Sequence, residues 1–245
     1  MPVIEILFLV GLVIFITHTL ESVTGFGCTV LAFPFVIALL EDLERTKIIL
    51  SILVWVLAFY FVVTKFRHIQ WKQFGIIVIL AGLGMPAGML LFKNFDAVTL
   101  KKALGVFIAL SATIQLYKSY VPANKVRPLS KLNGYAFLFA GGIVHGAFAA
   151  GGPLIVLYSA LKIPEKGQLR ATMCMLWITL NTILIFQYLL EKKLTLSIGY
   201  EILFLLPFLV AGIFAGEAIH NKISEIHFKK IVFSSLLLVG VIMII

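Results

Sequence analysis

Long uncharged stretches alternate with short charged segments along the whole chain. A transmembrane helix needs about 20 mostly apolar residues, with roughly 17–25 tolerated. The stretches that reach or approach this length are residues 6–20, 48–64, 75–92, 103–117, 171–190, 202–216 and 231–245. This pattern predicts an all-α, polytopic membrane protein.

Two further apolar regions are interrupted by glycine. Residues 22–40 follow the single charge of Glu21 and contain Thr24-Gly25-Phe26-Gly27. Residues 132–161 have no Lys, Arg, Asp or Glu and contain Gly141-Gly142 and then Ala149-Ala150-Gly151-Gly152-Pro153. Glycine tolerates non-helical dihedral angles and proline lacks an amide donor, so these runs predict breaks within hydrophobic segments. We therefore expect about ten helical segments, of which roughly eight are full spans and the others are broken or re-entrant helices.

The two halves of the chain carry the same features in the same order. Shifts of 124 to 128 residues place Gly84 on Gly212, Gly88 on Gly216, Gly27 near Gly151 and Gly152, and Arg45 on Arg170. An odd number of segments in each half makes the second half enter from the opposite face of the membrane, so we predict two inverted repeats. The expected boundaries are residues 1–120 for the first repeat, 121–132 for a cytoplasmic linker and 133–245 for the second repeat, together forming one transmembrane domain.

Composition narrows the class of protein. Apolar residues make up 61% of the 245 residues and charged residues only 13%, whereas a soluble domain has about 25% charged residues. Such a chain cannot cover a water-facing surface, which excludes soluble enzymes, secreted disulfide scaffolds and disordered chains. The excess of 20 Lys and Arg over 11 Asp and Glu suits loops beside anionic lipid rather than nucleic acid, which would need a basic face on a soluble module.

The basic residues also predict an orientation. If the spans cross alternately, the larger share of Lys and Arg falls on one face, and the positive-inside rule makes that face cytoplasmic. Both termini then lie outside the cytoplasm. The expected location is the cell membrane, as a multi-pass protein of a bacterial or archaeal inner membrane.

Motifs for enzymatic chemistry are missing from the sequence. It has no phosphate-binding loop, no His-x-x-x-His spacing and no paired carboxylates, so we expect neither an enzyme nor a bound metal or cofactor. Cys28 and Cys174 lie inside apolar runs, which favours neither a disulfide framework nor a Cys-rich metal site. Two functions stay open for such a chain at this point: a membrane scaffold or partner-binding subunit, and an intramembrane enzyme that pairs Cys28 with His145.

The glycine runs are candidates for an anion site. Non-helical backbone in a membrane survives only where it lines a cavity or packs inside protein, and a helix that begins after a break offers free amides and a dipole to anions. We expect the two turns to face each other near the membrane midplane and to bind a small anion. The alternative is that these glycines only permit close helix packing. The candidate residues are Thr24, Gly25, Phe26, Gly27, Cys28 and Thr29 in the first turn, and Ala150, Gly151 and Gly152 in the second.

Ionisable residues lie close to these turns. His18 and Glu21 are three residues apart on one helical face and could carry a coupling ion, a proton or sodium, unless Glu21 is simply hydrated at the end of its helix. His145 precedes the second turn and either donates to the anion or is a structural histidine bonded to a carbonyl. Arg170 and Arg45 begin spans in corresponding positions, where a guanidinium either binds the oxygens of a small anion or anchors a helix at the lipid headgroups.

Two longer runs contain these turns, Gly25-Phe26-Gly27-Cys28-Thr29-Val30-Leu31-Ala32-Phe33-Pro34 and His145-Gly146-Ala147-Phe148-Ala149-Ala150-Gly151-Gly152-Pro153. They resemble the glycine-rich motif that occurs twice in the sulfite exporter TauE/SafE family, and the Arg170-Ala171-Thr172 start of a later span is also similar to that family. The chain departs from the family pattern at Cys28 and Thr29, which stand where glycine is frequent. The resemblance covers the whole chain and implies a secondary transporter of sulfite, sulfonates or related small organosulfur anions, by export in most members and by uptake in some.

Overall fold

The structure is a computed structural model that describes residues 3–120 and 130–219, together with the single positions 234, 237, 241 and 244. Over residues 3–120 and 130–219, the secondary structure consists of nine α-helices and one 3-10 turn, without a β-strand. The helices are α1 (Val3–Thr24), α2 (Cys28–Leu40), α3 (Leu43–Lys65), α4 (Trp71–Asn94), α5 (Ala97–Tyr120), α6 (Lys131–Phe148), α7 (Gly152–Lys162), α8 (Lys166–Leu190) and α9 (Leu196–Ile219), and the 3-10 turn is Phe66–His68. Apart from those four positions, the predicted segment 231–245 lies outside the described residues, as do residues 121–129 of the predicted linker.

Six of the described helices are long and apolar enough to cross a membrane, namely α1, α3, α4, α5, α8 and α9. The chain is thus a multi-pass membrane protein. The helices α2 and α7 have only 13 and 11 residues and are too short for a full span. Each of these two follows a longer helix directly, so the chain breaks at the two glycine runs as predicted. The described residues contain six candidate spans, and the expected total of eight or so for the whole chain stays a prediction.

The pair Gly141-Gly142 does not interrupt its helix, so the prediction of a break there was wrong. Helix α6 passes through both residues without a gap. A methyl group on Gly142 would overlap the backbone of Ala81 in α4. The absence of a side chain at this position therefore permits close helix contact rather than a change of backbone direction.

Acidic side chains fix where the two central helices begin. Asp42 accepts a hydrogen bond from the Arg45 amide at 2.9 Å at the start of α3. Glu165 accepts hydrogen bonds from the amides of Gly167 and Gln168, at 2.8 and 2.7 Å, at the start of α8. Such caps satisfy amides that have no partner inside the helix. They also set the positions of the basic residues in the first turns of α3 and α8.

Glycine-lined contacts bring the outer helices together in pairs. Helix α4 packs on α6 and helix α1 packs on α9, while α3 and α8 pack on each other. A methyl group on Gly84 or Gly88 would overlap the α6 backbone, and one on Gly212 or Gly216 would press into α1. At these four glycines, the absence of a side chain permits close helix packing.

Candidate functional site

The first break needs glycine for its backbone conformation. Gly25 and Gly27 have φ angles of 83° and 102°, in the left-handed region that glycine adopts without a steric penalty. The Gly25 amide donates to the Glu21 carbonyl at 2.6 Å and closes α1. The Gly27 carbonyl accepts from the Leu31 amide at 3.1 Å and opens α2. Both glycines predicted for this turn are therefore required by its geometry.

The backbone of the second break follows a similar path to that of the first, but different residues make this possible. The Ala149 amide donates to the His145 carbonyl at 2.7 Å and closes α6, and Ala149 itself is left-handed, with φ 54°. Gly151 has φ −68°, which any residue can adopt. A methyl group on Gly151 would instead overlap the carbonyl oxygen of Gly141. Glycine is required here by close approach, and the left-handed residue is an alanine that the sequence did not single out.

The two breaks lie against each other. A methyl group built on Gly152 would lie 3.7 Å from the Gly27 amide nitrogen and 3.8 Å from the Phe26 Cβ. Between the breaks is a cavity of about 10 Å³, on the order of the space that one water molecule needs. Six predicted residues line it: Glu21, Gly27, Thr29, His145, Ala150 and Gly152. Val30, Val54, Ala149 and Trp177 complete the lining and were not predicted.

Glu21 is buried beside this cavity, with 2% of its surface exposed. Its Oε2 accepts a hydrogen bond of 2.9 Å from the Cys28 amide, at the start of α2. Its Oε1 has no hydrogen-bond partner among the described residues. Glu21 is therefore not hydrated at a helix end, and a protein carboxylate already caps the helix whose amides were predicted to attract an anion.

His145 lies on the other side of the cavity, 1% exposed. Its ring stacks on Trp177 with a centroid distance of 5.6 Å and an interplanar angle of 13°. Neither ring nitrogen has a hydrogen-bond partner among the described residues, although Asn181 lies close by. The Trp177 Nε1 donates to the Gly25 carbonyl at 2.9 Å, so this indole supports both breaks at once.

A buried lysine, Lys47, lies near His145, close enough for an electrostatic interaction. Lys47 is 2% exposed, and its Nζ donates to the Gly146 carbonyl at 2.7 Å. The same Nζ lies 4.1 Å from the centroid of the Phe92 ring. From the sequence alone, Lys47 is one of the basic residues used to predict the orientation, because it follows the charged residues Glu44 and Arg45 near the start of α3.

Lys47 also lines a vestibule of about 470 Å³ between the start of α3 and the ends of α4 and α8. Glu44, Glu191 and Lys193 lie in this vestibule, where Lys193 forms ion pairs with both acids. The Lys193 ammonium and the Gln187 amide hold the pKa of Glu191 below its ordinary value. Lys47 forms no ion pair with a carboxylate among the described residues, and its Nζ lies at the inner end of the vestibule.

Arg170 does not line the small cavity. It is 6% exposed, and its Nη1 donates to the Ser22 carbonyl in the last turn of α1 at 2.7 Å. Its guanidinium carbon lies 4.6 Å from the centroid of the Phe61 ring. This buried position excludes an anchor at the lipid headgroups. Arg45 differs, since its guanidinium pairs with Glu201.

The remaining predicted residues support the first turn. The Thr24 Oγ1 lies within hydrogen-bond distance of the Leu20 and Phe26 carbonyls, at 3.0 and 2.9 Å. The His18 Nδ1 lies 3.0 Å from the Ile14 carbonyl oxygen, and no hydrogen bond joins His18 to Glu21 within the described ranges. Glu21 and His145 line the same cavity, and the pairing of His18 with Glu21 for a coupling ion stays a prediction.

Comparison with known proteins agrees with the resemblance in sequence. No curated protein and no solved structure matches the chain. The family model described as "Sulfite exporter TauE/SafE" matches residues 9–243, nearly the full length, with both breaks inside the match. The chain thus belongs to the sulfite exporter TauE/SafE family, a family of membrane transporters.

Proposed function

We propose that this protein is a secondary transporter, an exporter or permease, of small organosulfur or inorganic anions such as sulfite or sulfonates. The anion binds where the two helix breaks meet. The observation that carries the proposal is the shared cavity, lined by both breaks and by the buried, unpartnered nitrogens of His145. Membership of a sulfite exporter family supports the class of substrate.

The second break supplies donors for the anion. No side chain among the described residues caps the start of α7, and because Pro153 has no N–H, the amides of Gly152 and Leu154 are the donors available to an anion. The Thr29 hydroxyl and a His145 ring N–H add donors from the cavity wall. The turn formed by Thr24, Gly25, Phe26 and Cys28 holds Gly27 and Thr29 in place, and Arg170 supports that turn from behind through Ser22.

An inverted repeat gives this site a means of alternating access. In the two halves, α1 corresponds to α6 and α4 corresponds to α9. The contact between α1 and α9 therefore has its counterpart in the contact between α6 and α4. This symmetry supports two repeats of opposite orientation over residues 1–120 and 133–245. A shift of 124 residues lays Glu21 on His145 and Gly25 on Ala149. The two halves then rock against each other around the junction of the breaks, and the cavity opens to admit the anion.

A membrane scaffold or partner-binding subunit is the second candidate. The small volume of the cavity favours it, because a cavity of about 10 Å³ does not admit an anion without rearrangement. On this alternative the breaks only pack against protein. Solute flux distinguishes the two functions directly.

The test is counterflow of sulfite and of methanesulfonate into liposomes that contain the purified protein, with Gly152→Ala as the variant. A methyl group on Gly152 makes only ordinary contacts at 3.7 Å or more, so the variant folds, but it fills the cavity. Gly82→Ala in α4 is the matched control, since no atom lies within 4 Å of its added methyl group. We expect at least about a tenfold loss of flux in the first variant and none in the second, equivalent to about 1.4 kcal/mol. Absence of flux in the wild-type protein favours the scaffold. Equal flux in the two variants contradicts the proposed binding site between the breaks.

A further inference from the structure

We propose that the Glu21 carboxylate occupies the anion's position in the empty transporter, and that each anion bound is accompanied by one proton taken up on Glu21. This inference rests on the proposed anion site and specifies how that site is regulated. Its ligand class is a small monovalent oxyanion together with a proton.

The position of Glu21 is the first argument. Its Oε2 accepts from the Cys28 amide at 2.9 Å, so a negative charge already lies at the N-terminus of the 13-residue helix α2. Its Oε1 lacks a partner, and the residue faces the cavity between the breaks. The helix end and the unpartnered buried oxygen are independent observations. Together they mark a site built for an oxyanion and filled by the protein's own carboxylate.

The charges around Glu21 are the second argument. A substrate anion placed about 4 Å from an ionised Glu21 would lose roughly a thousandfold in affinity at an effective dielectric constant of about 20. No lysine or arginine among the described residues forms an ion pair with Glu21 to offset this repulsion. The titratable and charged groups that face it or its neighbours are His18 on α1, Cys28 on α2, Lys47 on α3, His145 on α6, Cys174 and Arg170 on α8, and Glu217 on α9.

The two basic side chains of this set are already engaged. Arg170 donates to the Ser22 carbonyl and lies near Glu217, and Lys47 donates to the Gly146 carbonyl. Neither side chain is therefore left to neutralise an entering anion. If Glu21 takes up one proton as the anion enters, the total charge of the site stays unchanged. The proton comes from water and binds to a carboxylate oxygen. The Cys28 amide is then free to donate to the anion instead.

His145 is the competing proton acceptor that lines the same cavity, and its ring nitrogens have no hydrogen-bond partner within the described ranges. An imidazolium would attract the anion but would leave Glu21 ionised beside it. Variants of the two residues separate these possibilities. Glu21→Gln keeps the shape of the side chain and removes its charge, whereas His145→Gln removes the imidazole.

The experiment is calorimetric titration of methanesulfonate into the purified protein in detergent, at one pH in two buffers with different ionisation enthalpies. A sulfonate stays ionised throughout the working range, so every proton counted belongs to the protein. We expect uptake of one proton per anion and an affinity that falls tenfold for each rise of one pH unit above the range in which Glu21 titrates. Glu21→Gln is expected to bind without proton uptake and without pH dependence. The control Glu5→Gln, an exposed acid on the same helix, is expected to behave as the wild type.

The outcomes distinguish a failure of this inference from a failure of the proposed transport function on which it rests. Anion binding by the wild-type protein without proton uptake overturns the inference and leaves the proposed function standing. Proton uptake that persists in Glu21→Gln but disappears in His145→Gln assigns the proton to His145 and also overturns it. If methanesulfonate and sulfite both fail to bind to the wild-type protein, the proposed function and the inference fall together. Because the first measurement uses the wild type alone, a poorly folded variant does not prevent a decision.

Discussion

Glu21 closes the first break with a carboxylate, whereas the second break has an imidazole, His145, at the position 124 residues later. The backbone plan is shared, since the amides of Gly25 and Ala149 each close the preceding helix on the carbonyl of one of these residues. The caps of the following helices differ, because α2 begins on the Glu21 carboxylate and α7 begins without a side-chain cap. The first break thus caps its second helix with a carboxyl group of the protein, while the second break has no such cap among the described residues.

A buried cation from the opposite half supports each break. Arg170 on α8 donates to the Ser22 carbonyl near the end of α1, and Lys47 on α3 donates to the Gly146 carbonyl near the end of α6. Positive charge at a helix C-terminus is favourable because it offsets the helix dipole. The two cations differ in surroundings, because Lys47 also lines the vestibule. An anion is therefore expected to reach the breaks through the vestibule that Lys47 lines.

The largest expected effect is on stability, and it distinguishes close approach from backbone conformation as the reason why a break needs glycine. Gly151→Ala places a methyl group into the backbone of Gly141, which no change of side-chain rotamer can relieve, so we expect a loss of about 3 kcal/mol. Gly27→Ala meets no atom within 4 Å and only strains a φ of 102°, so its loss should be about 1 kcal/mol. Unfolding of the purified variants in detergent measures both. Equal losses would contradict the distinction between close approach and backbone conformation.

Removal of the Lys47 charge is expected to act on transport. Lys47→Met deletes the ammonium group that lies between the vestibule and His145, so the positive potential that attracts the anion falls. We expect the KM for sulfite to rise about tenfold, equivalent to about 1.4 kcal/mol. Lys93→Met is the control, because this exposed lysine lines the same vestibule. Similar KM values for the two variants would show that the buried cation only supports the helix end.

Local signals explain how much of this architecture the sequence predicts. Breaks were predictable at Gly25 and Gly27 because a run of small residues inside an apolar segment has few other uses. Glu21 and His145 were predictable because a titratable group in such a segment is conspicuous. Trp177 was not predictable as a site residue, because its contact with Gly25 spans 152 residues of sequence. Pairings of this length depend on how the helices pack, which single-sequence patterns do not encode.

Lys47 shows a different limit of the sequence. A lysine in the first turn of a span is typical of a residue at the lipid headgroups, and only the packing of α3 against other helices buries it. Glycine patterns have a similar ambiguity. Gly141 and Gly151 stand in comparable runs, yet the first lies inside a continuous helix and the second lies in a break. Which glycine bends the chain depends on neighbouring helices as well as on local composition.

The smallest expected effect is a change in stability at Ala149, the residue with left-handed backbone conformation in the second break. Ala149 has φ 54°, which an alanine adopts at a steric penalty, so Ala149→Gly should stabilise the protein by about 0.5 kcal/mol after the loss of the buried methyl group. The equivalent change in the first break, Gly25→Ala, should destabilise it, because the methyl group would lie 2.7 Å from the Arg170 Cα in addition to the strain of φ 83°. Ala150→Gly is the neighbouring control. Ala150 is buried and not left-handed, so this change should cost about 1 kcal/mol. Opposite signs for Ala149→Gly and Ala150→Gly in detergent unfolding would support a left-handed cap in the second break, and a loss of stability in both would mean that the two breaks do not close their helices in the same way.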